Sequence, residues 1–141
     1  MVKKAPVVRD YMTPDPVTLE PEDSLMRVLE LMRQRGVRHI PVVLAGELVG
    51  LVAEGDVKRA EPSTLSDTQD HFNQVMETTP ISRIMIHEPL TVSADTPLLK
   101  AAETLYSTKY GSLPVVEGGR CVGILTDNDL LHALVDLLRG A

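Results

Sequence analysis

Sliding the chain against itself by 73 positions lays residues 12–59 on residues 85–132 without a gap. Twelve of the 48 pairs are identical, among them Met12/Met85, Pro16/Pro89, Thr18/Thr91, Leu25/Leu98, Glu30/Glu103, Gly50/Gly123 and Asp56/Asp129. Most other columns keep their character, as in Val17/Leu90, Met32/Leu105 and Leu51/Ile124. A period of this kind marks one supersecondary unit used twice. A unit of about 50 residues can barely bury a core alone. The two copies are therefore expected to pack sheet against sheet, with approximate twofold symmetry, as one inseparable module.

Each copy reads as strand, helix, strand, strand, helix, an α/β (α+β) unit. A short first strand is expected at "VTL" and "LTV", each following a proline that favours an extended entry. Asp23 and Thr96 share the next column and are expected to be helix N-caps, with Pro97 in the tolerated first helical position. Leu25, Val28, Leu29 and Met32 fall at i, i+3, i+4 and i+7, as do Leu98, Ala101, Ala102 and Leu105, giving each helix one apolar face. Met26 and Met32 read as packing residues of that helix. "HIPVVL" and "SLPVVE" are β-rich runs, and "AGELVGLVA" and "GGRCVGILT" each supply a glycine turn and a second strand. A last helix passes through Val57 in the first copy, and through Leu130, Leu134, Leu137 and Leu138 in the second. The divisions expected are 1–60 for the first copy with a short N-terminal extension, 61–80 for a linker and 81–141 for the second copy. Within the linker, Phe72, Val75 and Met76 would line one side of a short helix.

Composition narrows the function. One Phe, three Tyr and no Trp leave an aliphatic core and no aromatic platform for stacking bases. Twenty acids against fourteen Lys plus Arg give a net charge of −6, which repels a polyanion, so no nucleic-acid partner is expected. Apolar runs are too short to cross a bilayer, and "MVKKAPVVRDYM" lacks the apolar stretch of a signal peptide. No membrane association and a cytoplasmic location are the expectations. Cys121, alone in an apolar run, reads as a buried, inert thiol. The four histidines lack metal-ligand spacing, so no metal site is expected. There is no P-loop and no G-x-G-x-x-G, and Ser112 in "YGSLPVV" lacks a nucleophile elbow. No catalytic centre emerges, and the chain reads as non-enzymatic.

Two ordered sets of "M…P-x-T…L…hPVV…G…hG-h-h-x-x-x-D" over residues 7–138 resemble a tandem pair of CBS domains, a Bateman module, here as a stand-alone chain. The resemblance implies a regulatory module that binds an adenine nucleotide (AMP, ADP or ATP) between its repeats, with no cofactor required. S-adenosylmethionine or another adenosyl ligand, such as a metal-bound nucleotide, is the alternative, as is an interaction module whose clefts stay empty. It further implies a homodimer, and an unidentified protein effector that reads the ligand state. In the family pattern a G-h-x-T/S-x-x-D element holds the ribose with its Asp and a phosphate with its Thr or Ser. Gly123, Ile124, Thr126 and Asp129 match that element, and Val17, Val37, Arg38, His39, Ile40 and Pro41 would complete their cleft. The mirror-related cleft would use Gly50 and Asp56 with Leu90, Tyr110, Gly111, Ser112, Leu113 and Pro114. There Ala53 stands where the hydroxyl residue belongs and Glu54 adds negative charge, so the first cleft ranks ahead.

The chemistry of single residues leaves two readings open. Asp129 can accept both hydroxyls of a ribose, or it can serve as a first-turn carboxylate favoured by the helix dipole. Thr126 can donate to a phosphate at a strand–helix junction, or act as a cap. Asp127 is expected to be the N-cap of the last helix and to point outward. Arg38 is a bidentate phosphate partner by type, and His39 adds charge only near or below a pKa of about 6.5. Strand alternation would aim only one of the two at a ligand.

Overall fold

The computed structural model describes residues 4–63, 68–108 and 110–140. The chain forms two compact units, Val17–Glu88 and Met1–Pro16 joined to Pro89–Ala141. Both are mixed α/β, with antiparallel strand ladders.

In the unit Val17–Glu88, helix α1 (Leu25–Arg35) leads into the hairpin β2 (His39–Leu44) and β3 (Glu47–Ala53), followed by α2 (Glu54–Ala60) and α3 (Gln69–Thr78). A two-residue strand, β4 (Ile86–His87), pairs with the far edge of β3. Gly36 ends α1 at φ 65°, a left-handed turn that glycine adopts without strain. The hairpin keeps its register from His39↔Ala53 to Val42↔Gly50 and shifts by one residue beyond. Leu25, Val28, Leu31 and Met32 of α1 pack with Ile40, Val42, Val52, Val57 and Met76 in one aliphatic core. The expected linker helix is α3. Met76 enters the core, and Phe72 packs against it half-buried.

The other unit repeats the plan. Helix α4 (Leu98–Thr108), hairpin β5 (Ser112–Glu117) and β6 (Arg120–Thr126), and helix α5 (Asp127–Leu138) follow in order. The short strand β1 (Thr13–Pro14) pairs with the far edge of β6. Val8, Leu98, Ala101, Leu105, Leu113, Val115 and Leu125 make its core. The N-terminal segment is held at both ends. Leu98 N–H donates to the Pro6 carbonyl at 2.9 Å, and the Tyr11 hydroxyl donates to Asp136 Oδ2 of α5 at 2.7 Å. That carboxylate raises the Tyr11 pKa, because ionising the phenol would lose the bond. Cys121 is half-buried, and burial pushes its thiol up as well.

Four expectations are corrected. The first strands at "VTL" and "LTV" shrink to single parallel bridges, Leu19↔Val42 and Val92↔Val115. Only the last residue of each run reaches the hairpin, Leu19 through bonds from its N–H to the Pro41 carbonyl and from the Val43 N–H to its own carbonyl. Asp23 and Thr96 are not N-caps. Each folds back to accept an N–H three residues earlier, Glu20 and Ser93 respectively, and Ser24 caps α1 instead. Pro97, in the column of Ser24, precedes α4 and is not part of it. Asp127 is the first residue of α5 and Thr126 is its cap. The threonine hydroxyl sits where it can meet the free N–H groups of the first turn. Among the described residues no helix is long and apolar enough to cross a membrane.

Candidate functional site

The junction of β6 and α5 is built from the repeat's most persistent columns. Gly123 has no room for a side chain, since a Cβ there would lie 2.7 Å from Met12 Sδ and 3.1 Å from the Thr13 carbonyl. Its counterpart Gly50 meets Met85 and the Ile86 carbonyl in the same way. The glycine of each "G-h-h" element thus lets the short edge strand approach, and Ile124 is buried beside it. The element serves packing at its start and polar chemistry at its end.

At that end, Thr126 Oγ1 accepts the Asp129 N–H at 3.2 Å, and Asp129 Oδ2 accepts the Thr126 N–H at 2.9 Å. This reciprocal capping box fixes both side chains at the helix start. The Thr13 hydroxyl of β1 lies 3.3 Å from Asp129 Oδ1. An ionised carboxylate offers about four acceptor positions. Asp129, half-buried and touched only by these neutral donors among the described contacts, keeps capacity for further hydroxyls.

The matching position in the other unit is occupied differently. Asp56 Oδ2 accepts the Ala53 N–H at 3.0 Å, while Oδ1 is paired with the Arg59 guanidinium. Ala53 provides no hydroxyl, and Glu54 of the same turn pairs with Lys58 at 3.1 Å. The two repeats therefore present one carboxylate with neutral neighbours and one already matched by a cation.

The remaining site candidates fall in two groups. Val17, Val37, Arg38, His39, Ile40 and Pro41 belong to the same unit as Gly50 and Asp56, and the Glu54 N–H donates to the Arg38 carbonyl at 2.9 Å. Arg38 is exposed, His39 half-buried, and Ile40 and Pro41 buried. Leu90, Tyr110, Gly111, Ser112, Leu113 and Pro114 belong with Gly123, Ile124, Thr126 and Asp129. Ser112 pairs with Thr126 across the hairpin, and the Asp127 N–H donates to the Gly111 carbonyl at 3.1 Å. Leu90 and Tyr110 are exposed. Thr13, which sequence reasoning missed, is the added polar neighbour. Its column holds Ile86 in the other copy, so the repeat gave no signal for it.

Ser112 is the one buried polar residue among those described, and its hydroxyl has no hydrogen-bond partner among the described residues. An unpaired buried hydroxyl costs about 1–3 kcal/mol. Ser112→Ala is accordingly expected to leave stability unchanged or raise it by up to about 1 kcal/mol, as urea unfolding would show. A loss above that size would mean that the hydroxyl is bonded after all. Among the described residues no group of three or more His, Cys, Asp or Glu is arranged to hold a metal ion.

The duplicated G-h-x-x-x-x-D element, its glycine against an edge strand and its acid at a helix start, is matched by a family model. That model, the CBS domain, covers residues 8–63 and 81–136. The chain belongs to the CBS domain family. Its CBS pair superposes on CBSX2, a CBS-pair protein of Arabidopsis thaliana, with a TM-score of 0.83 and 30% identity, covering 98% of this chain and 100% of that one. A structure described as CBSX2 in complex with AMP gives a TM-score of 0.77 at 30% identity, covering 93% and 97%. The CBS domain pair of protein MJ0100, in complex with 5′-methylthioadenosine and S-adenosyl-L-methionine, gives 0.76 at 25% identity, covering 92% and 99%. In sequence, the pair is 29% identical over 133 residues to an inosine-5′-monophosphate dehydrogenase of Korarchaeum cryptofilum, covering 94% of this chain. The chain spans only 25% of that enzyme's length.

Proposed function

We propose that this CBS pair is a non-catalytic regulatory module, cytoplasmic, that binds an adenine nucleotide and passes its occupancy to a protein effector. The observation that carries the reading is the Thr126–Asp129 box. It holds a carboxylate with spare acceptor capacity next to a hydroxyl at the start of a twelve-residue helix. A ribose diol suits the first and a phosphate oxygen the second. Among the residues that the family resemblance adds, Arg38 is the candidate cation for the phosphate. The AMP found with CBSX2 makes AMP the first ligand to try. Asp56, held by Arg59, is the weaker of the two acids for a sugar. A ligand that prefers one arrangement of the module shifts its population by its differential affinity. Self-association with a second copy accompanies this role.

A second ligand class has its own support. Asp127 and Asp129 bracket the α5 start, a setting that a sulfonium cation tolerates better than a phosphate does. MJ0100 is the relative seen with S-adenosyl-L-methionine. A thermal-shift panel of AMP, ADP, ATP, S-adenosylmethionine and NAD decides between the two. The ligand that binds stabilises by about 2.7 kcal/mol at one hundred times its Kd. No response to any of the five would favour an interaction module with empty sites.

A further inference from the structure

The residue one turn after the repeated acid differs in its surroundings between the copies. In the first copy it is Arg59, whose guanidinium lies back across the start of α2 and pairs with Asp56 Oδ1. Gly55 leaves room for it, since a Cβ there would lie 3.3 Å from Arg59 Nη1. The helix ends at Ala60, and the residue four places after Arg59 is Ser63, outside it. Asp56 thus carries a cation on one oxygen and the Ala53 N–H on the other. This is the closed form of the element.

In the second copy the columns of Gly55 and Arg59 hold Asn128 and His132. His132 is turned the other way along α5. Its Nε2 lies 3.7 Å from Asp136 Oδ2, and its ring stands edge-on to that of Tyr11, with centroids 5.3 Å apart. The Tyr11 hydroxyl donates to the same Asp136 oxygen at 2.7 Å, which fixes the carboxylate beside the imidazole. The first copy has Ile84 in the column of Tyr11 and Ser63 in that of Asp136, so neither partner is repeated. Imidazoles take up their proton near or below about pH 6.5. On α5 two acids stand one turn from His132, Asp129 before it and Asp136 after it. Asp127 at the helix start, with Tyr11 and Asp10 on the N-terminal segment, completes the titratable groups around them. Asp136, already oriented by Tyr11, is the acid that receives the charge. Asp129 keeps only its neutral donors among the described contacts.

We infer that Tyr11 and Asp136 are positioning residues for the Asp129 site: they hold the side chain at position 132 toward the end of α5, and so keep a cation there from closing Asp129 as Arg59 closes Asp56. The inference deepens the nucleotide reading above and rests on it. It is tested by calorimetric titration of the full chain with AMP at pH 8 and pH 5.5. Each variant is compared with the wild type at the same pH, so that the ionisation of AMP itself cancels. His132→Arg combined with Asp136→Asn is expected to weaken AMP binding about tenfold at both pH values, since the guanidinium then has Asp129 as its nearest acid on the helix. His132→Arg alone should weaken it much less, because Asp136 takes the charge. Asp136→Asn alone keeps an acceptor for the Tyr11 hydroxyl. It should match the wild type at pH 8 and bind about threefold more weakly at pH 5.5. His132→Gln combined with Asp136→Asn should restore wild-type binding at both. Circular dichroism checks folding, and His132→Lys with Asp136→Asn replaces the arginine variant if that one is poorly folded. Unaltered binding in the folded cationic variant would overturn the positioning role and leave the nucleotide site standing. So would an equal loss in the glutamine variant, or an Asp136→Asn protein that follows the wild type at pH 5.5. A wild type that binds no AMP would overturn the nucleotide reading, and this inference with it.

Discussion

Asp129→Ala is expected to abolish the thermal stabilisation that the wild type gains from its adenosyl ligand, a loss of about 2.7 kcal/mol at one hundred times Kd. The substitution also removes half of the capping box and the Thr13 contact, so the unliganded protein should lose about 0.5–2 kcal/mol. The informative quantity is therefore the shift on adding ligand, each protein being compared with its own unliganded baseline. Asp129→Asn separates the two effects further, because its amide oxygen can still accept the Thr126 N–H while the negative charge is gone. Asp56→Ala is expected to change the ligand response much less, since its acid is already committed to Arg59. An unaltered response in Asp129→Ala, or a greater loss in Asp56→Ala, would transfer the sugar site to the other repeat.

Leu25→Ala should be the most damaging single truncation in the unit Val17–Glu88. Leu25 is fully buried at the first turn of α1, within the cluster that holds Val28, Ile40 and Met76. Removing a buried leucine loses its transfer free energy and leaves a cavity, together about 3–5 kcal/mol where the surroundings cannot relax. Its backbone N–H is tied to the Thr79 carbonyl and its neighbours come from three elements, so collapse around the gap is restricted. The counterpart Leu98→Ala is expected to cost less, because Leu98 lines an open groove of about 600 Å³ beside α4 and α5, which leaves its neighbours room to relax. Urea unfolding of the two variants checks the pair. Equal losses would mean that the groove is as tightly filled as its counterpart.

Much of this was readable from the duplication. "HIPVVL" and "SLPVVE" are strands to the residue, and the columns of Leu25 and Leu98 are core in both copies. The acid of the repeated element was legible as a helix-start residue, because a first-turn carboxylate recurs in both copies and each accepts the N–H of the residue three before it. The short strands β1 and β4 were not legible. Two residues, one of them Pro14, carry no alternation, and their pairing is decided by distant glycines at 123 and 50. The caps were misplaced by one residue, because Asp23 and Thr96 answer a turn N–H nearby, while Ser24 and Thr126 meet the helix N–H groups. Leu31 was missed as core because it fills a column whose partner is Thr104.

The edge strands also bear on how the molecule is made. Thr13 pairs with Ile124, whereas everything in Val17–Glu88 is contiguous in the chain. During synthesis on the ribosome the contiguous unit can close as soon as β4 has emerged. The segment around Thr13 must wait until about 110 further residues have been translated before its pairing partner Ile124 exists. Contacts so far apart along the chain close slowly. Maturation should therefore proceed in two stages, with the residues that flank Asp129 acquiring their neighbours last.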